Sequence, residues 1–439
     1  MFFFNKHILD YMKKFVAMAA LLPALFIYFP VAGAEADILD VLARKGILNA
    51  KELEELRQSD KKETDLGMYW DKGLRFGTRD KAFKFKLGGR IFSDWAFAKG
   101  ENRGLRAVHG RLDESTEFRA ARLYLAGLMY GNVIFKAQYD FAGGASNFKD
   151  VYVGLKGLPL LGTLKVGHHK EPMSIEELTS HRFQTFMERS LPNIFVPGRN
   201  SGASFFNTAL SHRVSYAAGV FMDAGNFGNE NGTDNNFHAT MRVTALPWYS
   251  SKTELLHVGF AYSYRESTDN SLRMQQRPET HQGPRFVDTG TFGANSENVF
   301  DSEVALVLGP FSAQGEYLIS DVDAHAAGVD PTFHGYYIKV SFFLTGESRG
   351  YVDKKACFDR VKPQSNFGND GFGAIELAVR YSGLDLNDQT IRGGKMNNIT
   401  AGLNWYLNPN TRIVLNYTNS HVKGVGDANI GSARFQVDF

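Results

Sequence analysis

Phe83-Lys84-Phe85-Lys86-Leu87-Gly88-Gly89-Arg90-Ile91 alternates residue by residue, with Phe83, Phe85, Leu87, Gly89 and Ile91 on one side and Lys84, Lys86, Gly88 and Arg90 on the other. Side chains two apart share a face of a strand, so this stretch predicts a strand with one apolar and one wet face. The period persists to the end of the chain. It recurs in Phe135 to Phe141, Phe237 to Ala245, Leu256 to Tyr264, Tyr336 to Leu344, Ile375 to Tyr381 and the final Phe435-Gln436-Val437-Asp438-Phe439. About sixteen segments of roughly ten residues follow the rule, the number and length of a membrane-spanning antiparallel β-barrel.

The connections support that reading. Tight turns fall at Tyr130-Gly131-Asn132, Leu210-Ser211-His212, Gly309-Pro310 and Asn408-Pro409-Asn410. Long loops are expected at 99–115, 170–202, 223–235, 267–298, 323–333 and 383–395, the asymmetry of short periplasmic turns and long external loops. Residues 346–371, with Cys357, are too long for a turn on the short side. A soluble sandwich or propeller would also alternate. Against it, the apolar face carries aromatics at strand tips (Tyr130, Tyr262, Tyr264, Tyr336, Tyr381, Trp405), as interfacial girdles do, and the polar face is rich in charge and glycine.

Composition narrows the remaining classes. With 43% hydrophobic and 13% aromatic residues, unpatterned glycine and a single cysteine, the 439-residue chain is neither disordered, collagen-like nor a disulfide scaffold. After the first thirty residues no apolar run approaches the ~20 residues of a membrane helix. Residues 1–34 have a basic start, an apolar run from Phe15 to Phe29 and the small-residue site Ala32-Gly33-Ala34, the order of a secretory signal peptide cleaved before Glu35. Removing Lys6, Lys13, Lys14 and Asp10 with it leaves forty-six basic and forty-six acidic residues. Net charge therefore gives no reason to expect nucleic acid, and any preference for anions must be local.

Three regions are expected: the leader 1–34, a periplasmic segment 35–66, and a barrel over 67–439. In the second, Ile38, Leu39, Val41, Leu42, Ile47, Leu48, Leu53 and Leu56 have helical spacing, and Asn49 with Glu52 three residues on marks a helix start. Such a stripe is too small to bury itself and predicts a helical hairpin or coiled coil that self-associates or rests on the larger domain. Ser59 to Thr64 reads as linker.

Enzyme chemistry finds little support: no zinc-spaced cluster, P-loop or Gly-x-Ser-x-Gly elbow is present, and no cofactor is expected. His168-His169 would point to opposite faces of a strand and not chelate together. A lumen would receive Lys84, Lys86, Arg90, Arg119, Lys136, Arg213, Arg242, Arg265, Lys339, Arg380 and Arg434, with Asp94, Asp140, Asp150, Glu303, Glu316 and Glu376. Selectivity needs a narrower place where one sign dominates. The stretch from Lys170 to Gly202 is suited to form it, because Met173, Ile175, Leu178, Phe183, Phe186, Met187, Leu191, Ile194, Phe195 and Val196 would be unstable in bulk water and favour folding back into the barrel. Arg182, Arg189 and Arg199 ride on it beside Lys170. Arginine forks suit planar, multi-oxygen anions. The bland alternative pairs them with Glu171, Glu176, Glu177 and Glu188 in a self-neutralised loop.

Several stretches resemble the phosphate-selective porin O and P family: Phe85-Lys86-Leu87-Gly88-Gly89-Arg90, Glu117-Phe118-Arg119-Ala120-Ala121-Arg122, Gly167 through Glu188-Arg189-Ser190-Leu191-Pro192, Gly309-Pro310-Phe311-Ser312-Ala313-Gln314-Gly315-Glu316-Tyr317-Leu318, Leu344-Thr345-Gly346-Glu347-Ser348-Arg349, Val361-Lys362-Pro363 and Gly402-Leu403-Asn404-Trp405-Tyr406. The resemblance implies a sixteen-stranded, homotrimeric channel in the outer membrane of a Gram-negative bacterium, seated in its lipid, passing phosphate or polyphosphate through a constriction made by the third loop. It implies an anion site at Arg119, Arg189 and Ser180, with Arg90, Arg182 and Lys170 near it. It also implies a basic periplasmic approach at Lys81 and Lys86, and a funnel at Arg273, Arg277 and Arg285. Where the family's phosphate channels carry an Arg pair this chain has Arg119-Ala120, and Glu177 stands where they have a basic residue; Arg122 would compensate only if a bulge turned it inward. A general, weakly selective porin is the alternative, and a barrel enzyme or surface receptor the second.

Overall fold

The computed structural model describes residues 45–46, 48–55 and 66–439, apart from 72, 79, 100–102, 111, 145, 226, 229–236, 326–329 and 369–370. The expected leader, the linker from Ser59 to Thr64 and most of the helical stripe lie outside the described residues. Within that N-terminal unit, the backbone N–H groups of Lys51 and Glu52 donate to the Asn49 side chain at 3.0 and 2.9 Å, and the Asn49 N–H donates to the Glu52 carboxylate at 2.9 Å. This reciprocal cap opens a helix over 50–55, as the sequence pattern predicts.

In the second unit, the alternating stretches become sixteen antiparallel strands: β1 Phe83–Lys99, β2 Ser115–Met129, β3 Val133–Asp140, β4 Asn147–Leu158, β5 Gly162–Lys170, β6 Arg199–Ala209, β7 Val214–Met222, β8 Phe237–Ser251, β9 Glu254–Glu266, β10 Phe292–Leu308, β11 Phe311–Ala324, β12 Thr332–Phe343, β13 Ala374–Asp388, β14 Ile391–Asn408, β15 Thr411–Val422 and β16 Gly426–Asp438. Each pairs with the next, and β16 closes on β1 with Arg434 opposite Asp94 and Val437 opposite Ile91. Closure satisfies the backbone groups that an open edge would expose to hydrocarbon. Phe118, Val153, Met241, Ile338 and Ile399 project outward and are exposed, while Thr240, Tyr337 and Asn398, each next to one of the last three, turn inward and are buried. A hairpin of Leu66–Trp70 and Leu74–Thr78 extends β1 at the end where Phe439 exchanges backbone hydrogen bonds with Gly89.

Three features differ from the sequence pattern. The connection expected over 383–395 is absent: β13 and β14 run on to Asp388 and Ile391 and join through a two-residue turn. Outside the bilayer a strand needs no apolar outer face, so period two fades there although the ladder continues. The loops expected over 170–202 and 267–298 are trimmed to 171–198 and 267–291 by their flanking strands. Arg213, expected on the wall, sits in a turn and donates to the Tyr249 carbonyl at 3.3 Å.

The lumen is not wholly polar. Val299, Leu318, Val322, Phe333, Leu384, Met396, Val422 and Ile430 face inward and pack against Met173, Leu191 and Phe195 of the third external loop, 171–198, and Met274, Phe286 and Val287 of the fifth, 267–291. This patch seats the third loop against one side of the barrel.

Candidate functional site

The third loop is fastened to β11–β16 through carboxylates and backbone carbonyls. Glu176 lies 3.0 Å from Lys339 and accepts from the Ser190 N–H and hydroxyl at 2.9 and 2.6 Å. Arg380 donates to the Glu188 carbonyl at 3.0 Å, Arg412 to that of Gln184 at 2.7 Å and Arg434 to that of Met187 at 2.7 Å. Lys339, Arg380, Arg412 and Arg434 are all at most 3% exposed. These four, three of them expected as lumen charges, are therefore consumed in holding the loop.

From the other end, residues 347–361 of the long connection between β12 and β13 rise inside the barrel beneath that loop. Tyr351–Val352 pairs with Cys357–Phe358, the Tyr351 hydroxyl lies 2.7 Å from His257 Nδ1, and the Phe358 N–H donates to Thr179 at 3.3 Å. Phe358 packs on Ile175, Leu255 and Val307, with the Arg349 guanidinium 3.6 Å from its ring centre. The long connection around Cys357 thus buttresses the third loop, and its buried aromatics explain its length.

A second set of cations lines the side of the lumen opposite the seated loop, formed by β1–β6 and the loop's free face. Arg119 Nε and Nη2 donate to the two Glu188 oxygens at 2.8 and 3.0 Å. Arg189 and Lys170 both lie 3.0 Å from Glu177. Arg199 donates to Asp150 at 2.7 Å, and Lys136 reaches the same carboxylate. Arg122 donates to Asp140 at 2.6 Å, with Lys149 at 3.9 Å. Arg182 pairs with Asp438 at 3.1 Å, which also holds Arg360. The side chains of Arg119, Lys136, Lys149, Lys170, Arg182, Arg189 and Arg199 keep 15–24% exposure, so unlike the loop-fastening set they meet solvent.

Asp140, Asp150, Glu177 and Asp438 each hold two cations, whereas Arg119 and Arg434 together are matched by Glu188 and Asp94. The two-to-one ratio separates the site from a self-neutralised loop, because Asp140, Asp150 and Glu177 each answer only one of the two charges they hold.

Two irregularities in the ladder create this arrangement. Between β1 and β2 the register jumps from Phe92 opposite Ala120 to Ser93 opposite Phe118, leaving Arg119 as the extra residue of a bulge. Parity then shifts, so Arg119 and Arg122 both reach the lumen. Between β3 and β4, Tyr139 faces Phe148 and Ala137 faces Val151, so Lys149 and Asp150 together oppose Gln138. Strict alternation conceals Lys149 for this reason.

The remaining expected residues are dispersed. Arg90, 5% exposed, sits opposite Arg122 on one side and Asp438 on the other, and its Nε has no hydrogen-bond partner. Ser180 accepts from Arg182 at 3.4 Å. Lys86 and Lys136 lie 5.6 and 5.4 Å from the Tyr124 ring centre. Lys81 occupies an exposed turn with φ 63°. In the fifth loop Arg273 pairs with Asp288 at 2.5 Å and its hydrogen bonds hold that carboxyl below the ordinary aspartate range. Glu279 of the same loop descends to Arg380 at 2.6 Å and to Ser382. His168 Nδ1 and His169 Nδ1 each meet a backbone carbonyl, of Lys149 and Lys170.

A closed barrel of sixteen strands with an apolar outer face and a loop folded into a charged lumen defines a bacterial outer-membrane porin. The phosphate-selective porin O and P family model matches residues 85–439, and the chain belongs to that family. It is 28% identical to Porin O of Pseudomonas aeruginosa over 397 residues, covering 81% of this chain and 87% of the relative. A Caulobacter vibrioides protein described as uncharacterized is 29% identical over 396 residues, covering 84% and 76%. Among solved structures the barrel resembles the anion-selective porin from Comamonas acidovorans, with TM-score 0.54, 13% identity and coverage of 81% and 100%. It also resembles the trimer form of OmpT of Vibrio cholerae, with TM-score 0.53, 10% identity and coverage of 82% and 100%. At those identities the two structures speak for the fold. The protein is an outer-membrane channel of a Gram-negative bacterium.

Proposed function

We propose that this porin passes small anions by passive diffusion and holds phosphate or a similar oxyanion briefly among Arg119, Arg189, Arg122, Lys170 and Arg199. The observation that carries the proposal is the two-to-one pairing of cations with Asp140, Asp150 and Glu177 on one wall, where every one of those cations but Arg122 meets solvent. A lumen with this excess attracts anions, and guanidinium forks match oxyanion oxygens. Arg122 supplies the charge that Ala120 lacks, and Glu177 is answered by two cations. Family membership, and the name of the Pseudomonas relative, agree with this substrate class.

Assembly as a homotrimer is part of the proposal, supported by the trimer form of OmpT and by the low wall that the short β3, β5 and β7 make on one side. So is the layout in which the leader 1–34 is removed and 35–66 forms a periplasmic helical segment ahead of the barrel. Planar-bilayer recording tests the channel: in a KCl gradient the reversal potential should report chloride as the carrier, and added phosphate should reduce chloride current saturably. A cation-carried current, or no phosphate effect, would leave a general porin.

A further inference from the structure

Asp301 and Glu303 stand two apart on β10, so both enter the lumen, and Glu316 on β11 is the register partner of Glu303. Like charges so placed oppose strand pairing, yet all three are buried at 0–4% exposure. Glu303 is answered: Arg242 lies 2.7 Å away, His257 Nε2 3.3 Å, and the Ile175 N–H donates to it at 2.6 Å. One Glu316 oxygen accepts from the Glu176 N–H at 2.9 Å and from the Tyr337 hydroxyl. The other Glu316 oxygen and both oxygens of Asp301 make no hydrogen bond of good geometry, although the Ser174 backbone stands beside Asp301 and the Ser174 side chain beside Glu316.

An ionised carboxylate without a counter-charge of its own is not stable in a buried position. With Arg242 assigned to Glu303, Asp301 and Glu316 leave two negative charges. One oxygen from each of the three carboxylates lies within 4.8 Å of the others. That spacing lets a single ion touch all three at the 2.3–2.6 Å of calcium–oxygen contacts, and carboxylate oxygens are the donors hard divalent cations select.

We propose that Asp301, Glu303 and Glu316 bind one divalent cation of the calcium or magnesium class, which ties the β10–β11 wall to the start of the constriction loop at Ser174–Glu176. Calcium fits better than magnesium, since the three ligands come from a rigid sheet that cannot adjust to an octahedron. The charge of the ion replaces the missing counter-charge, and the loop backbone completes the shell of the flanking oxygens.

The test uses the full-length protein in detergent, stripped with a chelator and titrated with terbium(III), a calcium mimic whose emission is sensitised by nearby tyrosine such as Tyr337. The expected result is saturable emission at one ion per chain, displaced by calcium. Asp301→Asn and Glu316→Gln should each weaken binding by at least the roughly 10–100-fold that follows the loss of a group that merely supports a ligand, while Asp301→Glu retains it. Chelation should lower the thermal unfolding midpoint of the parent protein and leave that of Asp301→Asn unchanged. Single-channel conductance establishes that each variant is folded. Emission indifferent to Asp301→Asn overturns the proposal. So does a neutral-pH infrared band of protonated carboxyl in the parent protein that Asp301→Asn removes, because protons would then supply the missing balance.

Discussion

Arg119 and Glu188 meet face to face across the lumen, the guanidinium fork of a β2 bulge against a carboxylate of the constriction loop, with both bonds at 2.8–3.0 Å. Glu188 is also 3.0 Å from Nη2 of Arg434, and that nitrogen and Nε hold the two oxygens of Asp94 at 2.7 Å each. The line Asp94–Arg434–Glu188–Arg119 therefore runs from β1 and β16 through the loop to the pore wall. Glu188 both fixes the loop and occupies the fork that an entering oxyanion would use.

Replacing Glu188 with Gln should therefore tighten anion binding. A hydrogen bond to a charged group is worth about 1.5–3 kcal/mol, so freeing the Arg119 fork should lower the phosphate concentration that half-blocks chloride current by about tenfold. Bilayer titration checks this. An unchanged half-blocking concentration would mean that phosphate does not reach Arg119.

Arg189 and Arg380 separate the pore-facing from the loop-fastening cations. Arg189 keeps 19% side-chain exposure, whereas Arg380 keeps 1% and is tied to Glu279 and the Glu188 carbonyl. Arg189→Glu should move the reversal potential toward or past zero in a KCl gradient. Arg380→Gln should leave ion preference in place and appear as loop instability, in noisier open-channel current. Equal effects on ion preference would contradict the division.

The insert below the loop gives a size prediction. Phe358 is 2% exposed and packs on Ile175 of the constriction loop. Phe358→Ala removes a buried ring, a change that typically costs about 3–5 kcal/mol in a core. The barrel ladder should persist while the insert loosens, so single-channel conductance should rise with little change in barrel melting. A conductance equal to that of the parent would show that the insert does not support the constriction.

The barrel was legible in the sequence because lipid outside and water inside impose period two on every crossing, as in Phe83 to Ile91. The apolar constriction loop was legible from Met173, Phe186 and Leu191, which have no place in water. The site was legible only in part. Arg119 and Arg189 carry their chemistry in their identity, but Lys149 and Arg122 face inward only because bulges opposite Gln138 and at Arg119 shift parity, and a bulge leaves no periodic trace. The division between Arg189 and Arg380 depends on which wall the loop chooses, a tertiary choice made by Leu318, Phe333 and Met396. Asp301, Glu303 and Glu316 converge through strand register, which composition does not encode.

Arg434 offers the sharpest stability test. Its side chain is fully buried and its fork is shared among Asp94, Glu188 and the Met187 carbonyl. Arg434→Met would leave Asp94, 3% exposed, without its counter-charge. Removing one partner of a buried pair costs about 3–5 kcal/mol, mostly for the charge left behind, while replacing both with apolar groups can be neutral. Arg434→Met should therefore lower the temperature at which the barrel loses its heat-modifiable gel mobility, and Arg434→Met with Asp94→Leu should recover much of the loss. If the double variant is no better than the single, the carbonyl bond to Met187 rather than the ion pair is what Arg434 contributes, since that bond is lost in both.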